Sequence, residues 1–123
     1  MANSPPLIAV VDDDASVLKA LTRLLRARAF NAIPYASAKE FLASLAGAPP
    51  DCLVLDLQMP GMTGLELLQH LQREGLRIPT VVITALGDAD ILERCVVAGA
   101  SSYLRKPLRD TSLFAAIEAA TRL

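Results

Sequence analysis

The run LIAVV, residues 7–11, leads straight into three carboxylates, Asp12, Asp13 and Asp14. Acids this close repel one another, and two settings relieve them. A helix start accepts one as a cap through its free N–H groups, and a cation held among them neutralises the rest. A cap accounts for Asp14 or one neighbour and leaves two unexplained. A further acid, Asp56, ends the apolar run 52–55 and opens LQMPGMTG, whose Pro-Gly pair marks a turn. Thr84 ends TVVIT, and Lys106, with Pro107 after it, directly follows SSYLR. Such an X-Pro step is a candidate for cis geometry. Oxygen donors alone suit a hard ion. Mg2+ takes a few protein oxygens while keeping several waters, so Asp12, Asp13 and Asp56 form a candidate metal set. A carboxylate beside such an ion is able to accept a phosphoryl group as an acyl phosphate. That chemistry needs a fixed cation and a hydrogen-bond donor, roles open to Lys106 and Thr84. Singly, each residue has an ordinary explanation: a turn-bonding Asp, a strand-end Thr, a solvated Lys. Their meaning depends on whether one fold gathers all five.

These residues sit at the ends of short apolar runs that alternate with helical patterns. The runs 7–11, 31–35, 52–56, 80–84 and 101–105 read as strands, each followed by an amphipathic stretch. The first helix turns Val17, Leu18, Leu21, Leu24 and Leu25 to one face and Lys19, Arg23 and Arg26 outward. In SAKEFLASLAG, Ser37 and Glu40 have capping-box spacing and Gly47 is the expected stop. The third helix carries Leu65, Leu67, Leu68 and Leu71 before Gly75, with Leu65, Leu68 and Leu71 expected in the core and His70 at the surface. The fourth carries Ile91, Leu92, Cys95 and Val96 before Gly99, and the fifth Leu113, Phe114 and Ile117.

Strict alternation implies a parallel sheet with helices on both faces. The first, third and fourth runs are almost wholly apolar, as strands covered on both sides must be. Pro34 cannot donate to a ladder, which puts NAIPY at one edge, and short, half-polar SSYLR suits the other. Right-handed crossovers then give an α/β, flavodoxin-like, doubly wound five-stranded sheet of order 2-1-3-4-5 with five helices. Parallel strands present their carboxyl ends on one rim, so Asp12, Asp13, Asp56, Thr84 and Lys106 are expected to converge there.

A chain of 123 residues with 53% hydrophobic and 20% charged residues is one domain with a real core, not a disordered segment. Residues 1–6 read as a flexible arm ending in Pro-Pro, and 7–123 as the domain. The formal net charge of −1, with Lys and Arg scattered, argues against nucleic-acid binding by this domain itself. Cys52 and Cys95 have no metal-type spacing and read as buried thiols in a reducing cytoplasm. No secretion signal or membrane span is expected, because the first apolar run is only five residues, 7–11.

Together VVDDD, LVLDLQMPGMTG, VVITA and AGASSYLRKPL resemble the receiver domain of bacterial two-component response regulators over residues 7–121. The stretch TALGDADILERCVVAGASSYLRKPL is most similar to FixJ-type receivers of LuxR-class regulators. The resemblance implies a CheY-like fold and a role for each matching position. Asp12 and Asp13 match the acidic pair that holds Mg2+, Asp56 the phosphoacceptor, and Gln58 the backbone carbonyl that also contacts the metal. Thr84 matches the switch hydroxyl, Tyr103 the aromatic that turns inward on activation, and Lys106 the cation that pairs with the phosphoryl group. Many receivers carry Phe where this chain has Leu108. Leu86 and Gln58 match the positions flanking the route of an attacking water.

The function implied is a phosphorylation-activated switch rather than an enzyme. A sensor histidine kinase donates to Asp56, and the output passes through a face of helix 4, strand 5 and helix 5. That face, with Ile91, Arg94, Arg105, Arg109 and Asp110, is expected to form a phosphorylation-dependent homodimer. DNA contact and transcriptional control are then expected only through an output domain, and no membrane contact is expected. Two rivals use the same residues differently. One is a phosphorylation-independent interaction module with this fold, which needs no metal. The other is a haloacid-dehalogenase-type hydrolase, which needs an acid two residues past the nucleophile, where this chain has Gln58.

Overall fold

The computed structural model describes residues 5–85 and 88–122. Residues 1–4 of the expected arm, and Leu86, lie outside the described residues. The elements run β1 (Leu7–Val11), α1 (Ala15–Ala27), β2 (Asn31–Tyr35), α2 (Ala38–Ser44), β3 (Cys52–Asp56), α3 (Gly64–Arg73), β4 (Thr80–Thr84), α4 (Ala89–Val97), β5 (Ser102–Arg105) and α5 (Asp110–Thr121). All strand pairs are parallel and the order is β2-β1-β3-β4-β5, as the alternation requires.

The strand sequences explain the layers. Every residue of β3 and β4 is buried, and only Leu7 of β1 is not, so both faces of the central sheet are covered. Alternate side chains feed two cores. Leu53, Leu55 and Val82 meet Phe41, Leu67, Leu68, Leu71, Leu92 and Cys95 beneath α2, α3 and α4. Ile8, Val10, Val54, Val81 and Ile83 meet Leu21, Leu25, Leu113, Phe114 and Ile117 beneath α1 and α5. Each fully buried Leu, Ile or Phe contributes roughly 1.5–3 kcal/mol, and these two layers fix the sheet that carries the rim. Both cysteines are free and buried. The edges are the two strands expected: β2, with Pro34 exposed opposite Val10, and the half-covered β5. Among the described residues, no helix is long and apolar enough to cross a membrane.

Several local expectations are corrected. Strand β5 begins at Ser102, because the Ser101 N–H donates to Thr80 O across the strand entry. Helix α2 stops at Ser44, before Gly47. The Ser44 hydroxyl donates to Phe41 O at 2.6 Å, and Leu45 N–H turns to Leu42 O, so the last turn tightens early. Ser37 does cap α2 by accepting from Glu40 N–H, but Glu40 accepts from Ala36 N–H rather than from Ser37. The reciprocal capping box lies instead at Thr63 and Glu66, at the start of α3. On α3 the fully buried stripe is Leu67, Leu68 and Leu71, with Leu65 half-buried. On α4 only Leu92 and Cys95 are buried, while Ile91 and Val96 lie 37% and 51% exposed. Helices α3 and α4 end at left-handed Gly75 and Gly99 as expected, whereas α1 ends with a left-handed alanine, Ala29, at φ 66°.

Candidate functional site

The rim is built by strand ends. As β1 runs out, Asp12 N–H donates to Tyr35 O of β2, and the Asp12 carboxylate turns inward, 1% exposed. Its Oδ1 accepts from Asp14 N–H at 2.9 Å, which fixes the carboxylate. Asp14 caps α1, accepting from Ser16 and Val17 N–H groups. One aspartate of the three is therefore a cap. The other two face a different task.

Asp56, at the end of β3, is also buried. One carboxylate oxygen from each of Asp12, Asp13 and Asp56 lies within 4.8 Å of the others. Lys106 reaches in from the end of β5, its Nζ 3.7 Å from Asp12 Oδ2 and 3.7 Å from Asp56 Oδ1. Its backbone N–H donates to Thr84 O at 2.9 Å, which ties the turn after β5 to the end of β4; the following peptide to Pro107 is cis. Thr84 is 1% exposed there. A groove of about 580 Å³, lined by Leu57, Met59, Thr84 and Ile91 among others, opens alongside.

The electrostatics are strained in one direction. Burial pushes the Asp56 carboxyl up to about 6, the charge of Asp12 adds to the rise, and Asp13 adds a little more. Lys106 and a hydrogen bond from the Gln58 backbone N–H pull the other way without cancelling it. Among the described residues one ammonium, that of Lys106, meets two of the three clustered carboxylates. At 3.7 Å it attracts Asp12 Oδ2 but is too far to hydrogen-bond it, and that buried oxygen has no hydrogen-bond partner. An unpartnered buried carboxylate oxygen is costly. The donor set therefore fits a hard divalent cation: three clustered carboxylates, with Asp12 Oδ2 left bare.

The fold brings together Asp12, Asp13, Asp56, Thr84 and Lys106. It does not bring Tyr103 among them. That residue pairs with Val82 in the ladder and is 44% exposed, beside a shallow groove shared with Leu92, Val96 and Arg105. Gln58 is exposed, and its backbone N–H bond to Asp56 was not foreseen; only its carbonyl had been assigned a part. The available signal was Asp56 itself at the start of a loop, since an Asp there accepts from the backbone N–H two residues on.

The response regulator receiver domain model matches residues 8–118. Nodulation protein W of Bradyrhizobium diazoefficiens is 38% identical over 120 residues, covering 98% of this chain and 53% of that protein. The transcriptional regulatory protein FixJ of the same organism is 36% identical over 115 residues, covering 94% of this chain and 56% of that protein. The crystal structure of FixJ-N matches with a TM-score of 0.89 at 36% identity, covering 98% of this chain and 95% of that one. The chain thus spans about half the length of the curated relatives it matches. Strand order, rim and sequence agree, and the chain belongs to the receiver domains of two-component response regulators.

Proposed function

We propose that this receiver is a switch thrown by phosphorylation of Asp56. The observation that carries the reading is the convergence of Asp12, Asp13, Asp56 and Lys106 around a bare buried carboxylate oxygen. An Asp56 oxygen attacks the phosphorus of a phosphohistidine on a sensor histidine kinase. The new O–P bond forms as the P–N bond breaks. The imidazole leaves with that bond's electron pair, neutral because its other nitrogen carries the proton. Asp12, Asp13, Asp56 and the Gln58 backbone carbonyl would hold Mg2+, which when bound offsets the charge of the carboxylates and phosphoryl oxygens.

Lys106, already within 3.7 Å of Asp56, pairs with the phosphoryl group, and the Thr84 hydroxyl supplies a hydrogen bond to it. Tyr103 then turns in from its exposed position, which changes the face of α4, β5 and α5. Ile91, Val96 and Tyr103 leave apolar surface there, beside Arg94, Arg105, Arg109 and Asp110, a mixture suited to a transient homodimer. Residues 7–123 form the receiver, residues 1–6 its arm, and the switch acts in the cytoplasm as a one-group acceptor rather than a turnover enzyme. DNA contact belongs to an output domain of the kind that fills the rest of a regulator's length. Acetyl phosphate with Mg2+ is expected to add one phosphoryl group by intact-mass spectrometry, and Asp56→Asn to add none. Unchanged mass in the parent chain would end this reading.

A further inference from the structure

We propose that Gly64 is a positioning residue for the acceptor: its missing side chain lets the first turn of α3 lie directly on the Asp56–Leu57 peptide, and that contact sets where the Asp56 carboxylate and the Gln58 carbonyl sit. A Cβ at Gly64 would lie 2.5 Å from Asp56 O, 2.9 Å from Leu57 Cα and 3.2 Å from Asp56 C. All three neighbours are backbone atoms, so no flexible side chain is available to swing aside. Ordinary contact begins near 3.4 Å, and helix and peptide would have to separate by roughly 1 Å. Gly64 has no left-handed backbone, unlike Gly61 at φ 80° in the same turn, so it is required for space rather than for conformation.

The contact is braced on the helix side. Gly64 N–H donates to Leu57 O at 3.0 Å, closing the turn onto the strand end. Thr63 and Glu66 lock the first turn of α3 through their reciprocal cap, and buried Leu67 and Leu68 anchor the helix in the core. The strand side is held from one flank of the sheet: the β1 ladder stops at Leu55, and beyond it Asp56 pairs with Ile83 of β4 and Leu57 N–H donates to Ile83 O. Pressure at Gly64 therefore moves the Asp56–Leu57 peptide. The importance of that movement for phosphoryl acceptance rests on the function proposed above, whereas the movement itself does not.

The test is Gly64→Ala beside Leu71→Ala, a core truncation in the same helix that loosens it away from the rim. A crystal structure of Gly64→Ala should show the Asp56–Leu57 peptide displaced against an unmoved sheet. Mg2+ affinity, read by NMR titration, should fall at least tenfold, and labelling by acetyl phosphate about a hundredfold, as 1 Å misplacements do. Leu71→Ala should stay within threefold of the parent in both. An undisplaced peptide with α3 moved instead, or parent-like affinity in Gly64→Ala, overturns the proposal; so does an equal loss in Leu71→Ala. Should Gly64→Ala not fold, Thr63→Ala unpins the same turn without a clash, and unchanged Mg2+ affinity in it is equally fatal. Displacement without any labelling of the parent would refute the proposed function and leave the positioning role standing.

Discussion

Asp56→Asn should stabilise the metal-free protein, and by an amount that depends on pH in one direction. In the fold, burial and then the charge of Asp12 push the Asp56 carboxyl up from an ordinary value of 3.8 to about 6. Its folded pKa is raised, so the folded state binds the proton more tightly than the unfolded chain does. Below pH about 3.8 both states are protonated and Asp56 exacts no penalty. As pH climbs towards 6 the unfolded chain ionises first, stability falls, and the loss levels off above the folded value. Two units at 1.36 kcal/mol each make the loss about 3 kcal/mol at neutral pH. Asparagine keeps the shape without the charge and escapes this loss. Urea unfolding followed by far-UV circular dichroism, in EDTA, should show the two proteins nearly equal at pH 4 and the variant up to about 3 kcal/mol more stable at pH 7.5. Adding Mg2+ should narrow the gap by stabilising the parent alone. A gap that does not vary with pH, or a variant less stable at pH 7.5, would refute the electrostatic account of the rim.

Lys106→Met removes the charge that holds Asp56 down, so the Asp56 carboxyl should titrate above 6 by carbon-13 NMR; a fall would contradict the ion pair. Ala29→Gly relieves a left-handed alanine at φ 66° and should raise stability by about 0.5–1 kcal/mol in the same urea assay. Burial pushes the Cys52 thiol up to about 12, so at pH 8 it should resist a disulfide reagent in the native protein and react once urea unfolds the chain.

The sheet was legible because a buried parallel strand leaves a strong trace. LIAVV, CLVL and TVVI carry no polar residue before their ends, except Thr80, whose hydroxyl is satisfied by Ile78 O. Strand order followed from Pro34 and the half-polar last strand, and the gathered rim followed from strand order. Periodicity was less informative where an apolar arc is wider than the surface that covers it. On α4 the sheet takes Leu92 and Cys95 and leaves Ile91 and Val96 outside, and only packing decides that division. The resting side of Tyr103 is likewise set by packing alone: on an edge strand the side chains alternate, but nothing in SYLR says which side is covered. The end of α2 was invisible because a single serine hydroxyl, at Ser44, competes for a helical carbonyl. Spacing alone does not mark Gly64 as a packing glycine, since the close approach that requires it involves backbone seven and eight residues earlier.

Pro34 also bears on how this molecule keeps company with other chains. An open sheet invites a stranger's backbone to continue it, and the outermost strand here meets that invitation with a residue lacking an amide hydrogen. Growth into a runaway polymer is discouraged at its first step. At this edge, meetings with other chains are left to side chains, where recognition is selective and easily reversed.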